Sequence, residues 1–459
     1  MEYFEDKAIE AQEHFKDILM FAKDNNDKDA NYMEQEILNK ILMLGNSLMQ
    51  VYIATVGTGD SGKIVELQDG KKLKHVATRP ITHTTIFGEI KINREYYHKA
   101  LEGSVFPLDS QINLPDRTYS YLLERFSMGV ALNDSYDESK KYINELFGIN
   151  LPSSSIQKMS EKSSRYFEEF YKEKKIDSTR AGEVIVVSGD GKGLPIKNEK
   201  NSEPKKRLGR GEKNGKKKMA LVGTVYNVEP QYNFENRKFD VKNKKVWAFL
   251  ENKERTMELL RNDVSSRIEK NSFINDIVFL ADGEKGLWNL KRKYFPEAVE
   301  ILDWYHMTEY LWKAVYVFYL EGSQESVNWI KKMEQKMFDG RVMDVIKGIK
   351  VRITKNNIKG NKLKTLEKVI EYFRNNKDRM KYNEYINNGY PIGSGNVESA
   401  CRHLVKDRME KTGMRWKCKG AQSILSLRAT YINGDLNDYW SYYMEKENYR
   451  LYGNLTKCA

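Results

Sequence analysis

The sequence has few cysteines and no long apolar run. Its 459 residues include three cysteines, Cys401, Cys418 and Cys458, without the paired spacing of zinc ligands. This argues against a disulfide framework or a cysteine zinc site and fits a reducing compartment. No apolar stretch approaches the ~18 residues needed to cross a bilayer, and residues 1–6 lack the basic start of a secretory signal. We therefore expect a cytoplasmic protein without a membrane span.

Acidic residues are fewer than basic residues. Lys and Arg number 77 against 65 Asp and Glu, which gives a formal net charge of +12, and the chain also carries 28 tyrosines and 7 tryptophans. An excess of Lys and Arg favours the approach of a polyanion, so nucleic acid is the leading partner class, although many basic proteins bind none. The length predicts two to four domains.

The first half of the chain predicts helices and one hairpin. Residues 1–55 place apolar side chains three and four positions apart, which predicts two amphipathic helices. Residues 77–98 alternate polar and apolar side chains around Phe87-Gly88, which predicts a β-hairpin. From residue 116 to about 171 the pattern is helical again.

A helix-turn-helix is predicted within this helical region. A capped helix starts at Ser135, residues 148–152 break it, and a second helix begins at Ser153. Two packed helices without DNA contact are the alternative. If the helix-turn-helix binds DNA, four side chains at the start of its second helix are expected to contact phosphates and bases: Ser154, Ser155, Gln157 and Lys158.

The second half of the chain predicts an α/β (α+β) fold. Three apolar runs come first without helices between them, and two more then alternate with helices. That order favours a mixed sheet flanked by helices over a doubly wound sheet. Residues 305–385 and 396–433 are helical in pattern, and residues after about 441 predict a tail.

Three carboxylates stand at the predicted element ends. Asp190 and Asp282 each close an apolar run, and Glu398 opens a helical stretch. Strand ends in an α/β sheet share one crevice, where such acids would hold two Mg²⁺ ions for phosphodiester chemistry. The alternative is that the Asp-Gly pairs only form turns and that Glu398 only favours a helix N-terminus.

Other candidate sites are weaker. Asp303 and His306 follow the fifth strand near the same crevice, and no further His or Cys completes a zinc site. Ser394 lies between glycines but follows a loop, which argues against a hydrolase nucleophile. The glycines of residues 189–193 lack the spacing of a dinucleotide site.

Two basic segments are candidate DNA-binding elements. A solvated mobile loop and a solvated helix face are the alternatives. The first interrupts the early strands and contains Lys205, Lys206, Arg207, Arg210, Lys216, Lys217 and Lys218. The second lies on the late helix and contains Arg402, Lys406, Arg408, Arg415 and Trp416.

Five motifs recur in a recognisable order. They occupy residues 188–193, 281–288, 301–306, 391–400 and 413–416. With these motifs the chain resembles the DDE transposases of bacterial insertion sequences, in particular the ISKra group, which is similar to the Mutator-like enzymes. The resemblance covers roughly residues 75–440, and the first ~70 residues match no known pattern.

The resemblance implies an RNase H-like catalytic core interrupted by a helical insertion before the last acid. It implies that Asp190, Asp282 and Glu398 are the catalytic acids and bind two Mg²⁺ ions, with Mn²⁺ as a substitute. Asp303 and His306 match a short Asp/Cys-x-x-His element of the family. Asp303 replaces Asp282 as second acid if the fold brings it closer. Relatives often carry a cysteine pair that residues 96–103 lack, so structural zinc is not expected.

The predicted domain boundaries follow from these patterns. They are an N-terminal helical region (1–75), a hairpin element (76–115), a helix-turn-helix-like DNA-binding domain (116–180), the first part of the catalytic core (181–304), the helical insertion (305–390), the last part of the core (391–440) and a tail (441–459).

The expected function is that of a transposase in the bacterial cytoplasm, associated with the nucleoid. It would cleave DNA at the terminal inverted repeats of an element and join the released 3′ end to target DNA. Two element ends require a homodimer or higher oligomer. The alternatives are a non-catalytic or domesticated DNA-binding protein and a nuclease that lacks strand transfer.

Overall fold

The structure is a computed structural model that describes residues 2–174, 182–197, 217–232, 239–270, 273–274, 276–411 and 413–453. The chain divides into two compact units. Unit 1 comprises Met1–Tyr166 and Leu436–Ala459, and unit 2 comprises Phe167–Asp435. Each unit has its own sheet.

The helices and strands are defined as follows. The helices are α1 (Glu2–Asp24), α2 (Ala30–Val56), α3 (Pro107–Gln111), α4 (Tyr121–Ala131), α5 (Tyr136–Phe147), α6 (Ser153–Ser163), α7 (Phe167–Glu173), α8 (Lys253–Lys270), α9 (Lys285–Tyr294), α10 (Trp304–Phe318), α11 (Gln324–Phe338), α12 (Val342–Lys355), α13 (Gly360–Asn376), α14 (Tyr382–Asn387), α15 (Gly395–Ala400), α16 (Asp407–Met409), α17 (Cys418–Ile432) and α18 (Leu436–Tyr452), with a 3₁₀ turn (Lys377–Arg379) and a π-helix (Cys401–Lys406). The strands are β1 (Ile64–Glu66), β2 (Lys72–Thr85), β3 (Gly88–Lys99), β4 (Gly103–Val105), β5 (Val184–Pro195), β6 (Lys217–Val228), β7 (Lys242–Leu250), β8 (Asp276–Ala281) and β9 (Val299–Leu302).

Unit 1 contains an antiparallel sheet in the order β1-β2-β3-β4. The predicted hairpin is confirmed, since Thr85 pairs with Gly88 across a turn that includes Phe87. Alternating burial along β3 sends Ile90 and Ile92 into the core, where they pack with Ile53 of α2. The two predicted N-terminal helices are α1 and α2.

Helix α2 is long and apolar enough to cross a membrane by length and composition alone. The expectation that no segment passes this test was wrong. Within unit 1, however, Met49, Ile53 and Val56 of this helix pack against the sheet core. Because its C-terminal half completes that core, α2 is a helix of the folded unit.

The predicted tail is instead helix α18, which packs within unit 1. The partly buried Arg117 and the fully buried Glu124 form an ion pair with an Nη1–Oε1 distance of 2.7 Å. Arg117 also donates to the hydroxyl of Tyr443 on α18, and Tyr439 donates to the carbonyl of Ser163. Buried tyrosines therefore anchor this helix, a face that its polar sequence did not reveal.

The predicted helix-turn-helix corresponds to α5, a turn and α6. Ser135 caps α5 by accepting the Glu138 N–H at 3.0 Å, and Gly148 ends it with a left-handed φ of 68°. Ser154 and Lys158 on α6 are exposed, whereas Ser155 and Gln157 are partly buried. DNA contact by these four side chains stays a prediction.

Unit 2 contains the predicted mixed sheet, in the order β7-β6-β5-β8-β9. Strand β5 runs antiparallel to β6 and parallel to β8, and β9 continues the parallel half. Asp190 does not end β5 as expected, because β6 continues the pairing from Asp190–Val222 to Pro195–Lys217. It lies within the strand, beside the last parallel pair Gly189–Ala281.

Both outer strands of this sheet are covered by helix side chains. Gln422 of α17 accepts the Leu250 N–H at 2.8 Å, and Asn433 accepts the Val246 N–H at 2.8 Å. On β9, Tyr382 and the neighbouring Tyr385 of α14 donate to backbone carbonyls at 3.0 and 2.9 Å. These bonds protect edges that would otherwise pair with other chains.

The predicted helical insertion corresponds to α10–α14. Its first helix starts at Trp304, one residue before the predicted boundary at 305, because Asp303 caps it. Trp304 stacks on Phe338 of α11 with ring centroids 3.9 Å apart, which fixes the start of the insertion against its second helix.

Candidate metal centre

Three aspartates lie in one row across the parallel half of the sheet. Gly189 pairs with Ala281, and Ala281 pairs with Leu302, on neighbouring strands. The residue after each of these three is an aspartate: Asp190, Asp282 and Asp303. Strand register therefore brings the predicted acids Asp190 and Asp282 together with Asp303, the alternative second acid. They lie at the edge where open α/β sheets place their sites.

Asp303 is fully buried and both of its carboxylate oxygens are occupied. Oδ1 accepts the backbone N–H of Ser394 at 2.6 Å. Oδ2 accepts the N–H of His306 at 2.8 Å, as an N-cap does, and also faces its Nδ1 at 2.8 Å. This aspartate ties the start of α10 to the turn before α15.

The surroundings of His306 favour its protonated form. Its hydrogen bond to Asp303 raises the pKa of the imidazole to about 9, although burial acts in the opposite direction. The charges of Asp303 and Asp282 reinforce the shift. A protonated His306 therefore offsets part of the negative charge that the acids bring together.

Asp282 is half-buried at the end of β8. Its Oδ1 accepts the Glu284 N–H at 2.8 Å, which forms the turn into α9. Burial raises the pKa of the Asp282 carboxyl, and the negative charge of Asp190 adds to the rise while the Glu284 N–H and His306 oppose it. Holding this acid ionised next to Asp190 costs free energy.

Glu398 enters from the helix that follows the Ser394 turn. It lies on α15, which continues directly into the π-helix, a distortion that is frequent at functional sites. Cys401, one turn after Glu398, donates its thiol to Asp190 Oδ2 at 3.2 Å. The α15 segment therefore contacts the strand that carries the first acid.

One set of side chains is close enough to share a cation. Among the described residues, ligand atoms of Asp303, His306 and Glu398 lie within 4.8 Å of one another. Asp190 and Asp282 are outside this group. The structure thus brings all five predicted site residues to one edge of the sheet, with Glu398 nearest to the Asp303–His306 pair.

The roles of two neighbouring residues, Cys401 and Ser394, were not predicted from the sequence. Cys401 follows Glu398 by three positions, a helical spacing that could have placed it on the same face. Ser394 was considered only as a nucleophile, whereas its backbone N–H binds Asp303. Such backbone contacts leave no pattern in a single sequence.

The basic candidates differ in where they lie. Lys205, Lys206, Arg207, Arg210 and Lys216 fall outside the described residues. Lys217 and Lys218 begin β6 and pair with Glu410 at 3.2 Å and Glu251 at 2.5 Å. The late segment exposes three of its basic residues, Arg402, Lys406 and Arg415.

Arg408 and Trp416, also predicted to bind DNA, are buried instead. The Arg408 guanidinium lies 4.9 Å from the centre of the Trp416 ring. The indole N–H donates to the Met409 carbonyl at 3.0 Å, and the Trp416 backbone bridges to Ile196 at the end of β5. These two side chains form a structural contact with no accessible face for a nucleic acid.

The chain was compared with known families and structures. Residues 31–446 match the uncharacterised protein family UPF0236. No curated protein matches the sequence. Among solved structures, the chain is similar to the Drosophila P element transposase strand transfer complex at 10% identity, over 74% of this chain and 85% of that chain, with a TM-score of 0.24. That TM-score does not establish a shared fold. Because the family match spans most of the sequence, the chain belongs to the uncharacterised protein family UPF0236.

Proposed function

We propose that this protein is a DDE-type transposase of a bacterial insertion sequence, related to the ISKra group, that cuts and joins DNA with divalent metal ions. The observation that carries the proposal is the row of Asp190, Asp282 and Asp303 with Glu398 beside it. Carboxylates clustered in this way suit phosphoryl transfer, where catalysis depends on positioning and on balancing negative charge.

The sheet supports an RNase H-like core. Its order has two antiparallel strands on one side of β5 and two parallel strands on the other. The last acid, Glu398, follows the helical insertion α10–α14, as the resemblance implies. The register of the parallel strands places Asp190, Asp282 and Asp303 at one edge of this sheet.

The donor set fits hard divalent cations. Asp190, Asp282 and Glu398 offer oxygen ligands of the kind that Mg²⁺ and Mn²⁺ prefer. The raised pKa of Asp282 reports a carboxylate whose charge is poorly balanced, which a bound cation would correct. Bound Mg²⁺ would supply Lewis-acid stabilisation of the oxygens that gain charge during the displacement.

Proximity to Glu398 favours Asp303 over Asp282 as the second acid, because only Asp303 lies in the group with Glu398. The hydrogen bonds of Asp303 favour the opposite choice, and on that ground we assign Asp190, Asp282 and Glu398 as the metal ligands and Asp303 as a positioning residue. Both carboxylate oxygens of Asp303 accept hydrogen bonds from N–H groups, whereas in Asp282 only Oδ1 accepts one. Asp282 is therefore better able to bind a metal ion. His306 would place its positive charge next to the reacting phosphate. Asp303 holds the imidazole in that orientation.

The proposed reaction consists of two displacements at phosphorus. In the first, water attacks a phosphodiester, a new O–P bond forms, and the 3′ oxygen leaves as a hydroxyl. In the second, that hydroxyl attacks target DNA and displaces another 3′ oxygen. The exposed Arg402, Lys406 and Arg415 would bind backbone phosphates of the DNA near the acids.

Plasmid cleavage tests the proposal. Supercoiled plasmid that carries the DNA flanking the gene is incubated with Mg²⁺ and either wild type, Asp190→Asn or Asp282→Asn. We expect nicked and linear products from wild type alone. Glu258→Gln is the matched control, since Glu258 is a surface acid on α8 that pairs with Arg255 at 3.0 Å. Equal cleavage by wild type and Asp190→Asn would refute the assignment.

Two other functions give different products. DNA binding without Mg²⁺-dependent cleavage would indicate a non-catalytic DNA-binding protein. Cleavage without joined products in a strand-transfer assay would indicate a nuclease. The same assay tests whether Asp282 or Asp303 is the second metal ligand. Asp303→Asn should keep measurable cleavage, whereas Asp282→Asn should not.

A further inference from the structure

Two helices of unit 2 form a basic cleft next to the metal centre. The cleft has a volume of about 450 Å³, and none of the described residues that line it is acidic. Its charge therefore suits an anion. Each helix contributes residues three and four positions apart, which places them on a single face. They are Lys285, Trp288 and Arg292 on α9, and Tyr372, Asn375 and Arg379 on α13 and the 3₁₀ turn after it.

Arg379 is held in place within this cleft. Its Nε donates to Glu300 Oε2 at 2.5 Å, and its Nη1 donates to Asn376 Oδ1 at 3.2 Å. Its guanidinium lies 4.4 Å from the centre of the Trp288 ring. Among the described residues, neither Nη2 of Arg379 nor the buried indole N–H of Trp288 has a hydrogen-bond acceptor. A phosphate group would supply the oxygen acceptors that these donors lack.

Lys285 and Arg292 carry positive charge that this part of the protein does not balance. Both side chains are exposed, and neither forms an ion pair with a described residue. Lys285 is the first residue of α9, whose first turn has no acid and whose N-cap residue Glu284 pairs with Lys253 at 2.6 Å. A cation at this end of a helix opposes the helix dipole. An anionic ligand therefore explains the position of Lys285 better than the stability of α9 does.

The cleft adjoins the proposed second acid. Gly283 follows Asp282 in the chain and lines the cleft. A Cβ at Gly283 would overlap the ring of Tyr372, so the turn after Asp282 packs directly on α13. An anion in the cleft would therefore lie close to the metal centre.

A second cleft continues the first one along α13. It has a volume of about 470 Å³ and shares Tyr372 and Asn375 with the first cleft. Lys313 of α10 and Lys368 of α13 line it, together with one acid, Glu371. We call the two clefts together the α9–α13 groove. Because both clefts contain cations, the groove fits a chain of phosphates better than a single free phosphate.

We propose that the α9–α13 groove binds backbone phosphates of the DNA strand that occupies the metal centre. This inference rests on the proposed function, because that function places a DNA strand at Asp282. Contacts from Lys and Arg to phosphates position DNA but carry no sequence information. The groove therefore holds a strand of any sequence next to the reacting phosphodiester.

Fluorescence anisotropy of labelled DNA tests the groove in the full chain. Two short duplexes of unrelated sequence are titrated at several salt concentrations, with EDTA present so that metal-dependent cleavage cannot occur. The double substitution Lys285→Ala, Arg292→Ala should raise the Kd of both duplexes at least ~10-fold. It should also reduce the slope of log Kd against log salt by about 2, one for each lost phosphate contact. A second variant, Lys313→Ala, Lys368→Ala, should change both quantities in the same direction.

The matched control is the double substitution Lys347→Ala, Lys350→Ala. It removes the same charge from exposed positions on α12 that line neither cleft, so the Kd and the salt dependence should stay close to those of wild type. Circular dichroism verifies that each variant is folded. Either groove variant that behaves like this control would overturn the proposal. So would displacement of the duplex from wild type by dAMP at the same phosphate concentration, because that result would assign the clefts to a free nucleotide.

The plasmid assay separates this proposal from the proposed function. DNA binding that depends on the groove, without Mg²⁺-dependent cleavage by wild type, would support the groove and refute the proposed function. Mg²⁺-dependent cleavage by wild type, with unchanged DNA binding by both groove variants, would support the proposed function and refute the groove.

Discussion

Asp303 Oδ1 accepts the backbone N–H of Ser394 at 2.6 Å, so the end of β9 holds the turn from which Glu398 projects. The same carboxylate caps α10 through the His306 N–H. One buried side chain therefore fixes the position of the helical insertion and of the last acid. A second buried contact, from the Cys401 thiol to Asp190, fixes the segment after Glu398 against β5.

Replacing Asp303 with alanine should destabilise unit 2 strongly. The substitution leaves the buried Ser394 N–H and the partly buried His306 N–H without an acceptor, at a cost of up to about 1–3 kcal/mol each. Ser323→Ala is the matched control, because Ser323 caps α11 by accepting a single N–H, that of Ser326, and a lost cap costs ~1 kcal/mol. Thermal unfolding of both variants measures the difference. An Asp303→Ala variant no less stable than Ser323→Ala would contradict the capping role.

Cys401 should resist alkylation in the native protein. Burial raises the pKa of its thiol, and the charge of Asp190 adds to the rise, so the nucleophilic thiolate is scarce at neutral pH. Cys418 is only partly buried and should react at least ~10-fold faster with iodoacetamide, as peptide mass spectrometry would show. Equal rates for the two thiols would mean that the Asp190–Cys401 contact opens readily.

Unit 1 should lose stability in mild acid because of His83. Burial lowers the pKa of this imidazole to about 4, and the charges of Arg117 and Arg94 act in the same direction. The unfolded chain takes up a proton near the ordinary value of 6.5, so stability is complete above about pH 6.5 and falls as pH decreases towards 4, by about 2–3 kcal/mol.

Urea unfolding at several pH values measures this effect. His83→Gln should flatten the pH dependence between these limits, whereas His98→Gln, at an exposed position on β3, should not. A His83→Gln profile parallel to that of wild type would assign the acid sensitivity to another group.

Gly283 should be intolerant of alanine. A Cβ at this position would overlap the ring of Tyr372, which packs on the end of β8, and such overpacking costs about 1–3 kcal/mol. Gly348→Ala offers the opposite case, because nothing lies near its Cβ in the middle of α12, and the change should stabilise by about 0.5–1 kcal/mol. Melting temperatures that shift in the same direction for both variants would contradict this packing.

The elements that sequence predicted well are those with strong local patterns. Alternation around Phe87-Gly88 identified the hairpin, and the order of apolar runs identified the mixed sheet. The apolar run before Asp282 likewise marked the end of β8 correctly. Each of these depends on side chains a few positions apart.

The features that sequence missed depend on distant partners. β5 continues past Asp190, where the apolar run ends, because β6 pairs with it to Pro195. Helix α18 was predicted as a tail because its buried face consists of Tyr439, Trp440, Tyr443 and Glu447 and has no aliphatic residue. Likewise Arg408 and Trp416 pack on each other, a contact that no charge count reveals.

Mn²⁺ binding is the sharpest test of the proposed metal centre. Mn²⁺ titration followed by electron paramagnetic resonance compares wild type with Asp190→Asn, Asp282→Asn and Glu398→Gln, and with Glu258→Gln as the control. We expect saturable binding by wild type and the control, with affinity reduced at least ~10-fold in each of the three acid variants. Undiminished Mn²⁺ affinity in all three acid variants would contradict a metal centre at this edge of the sheet.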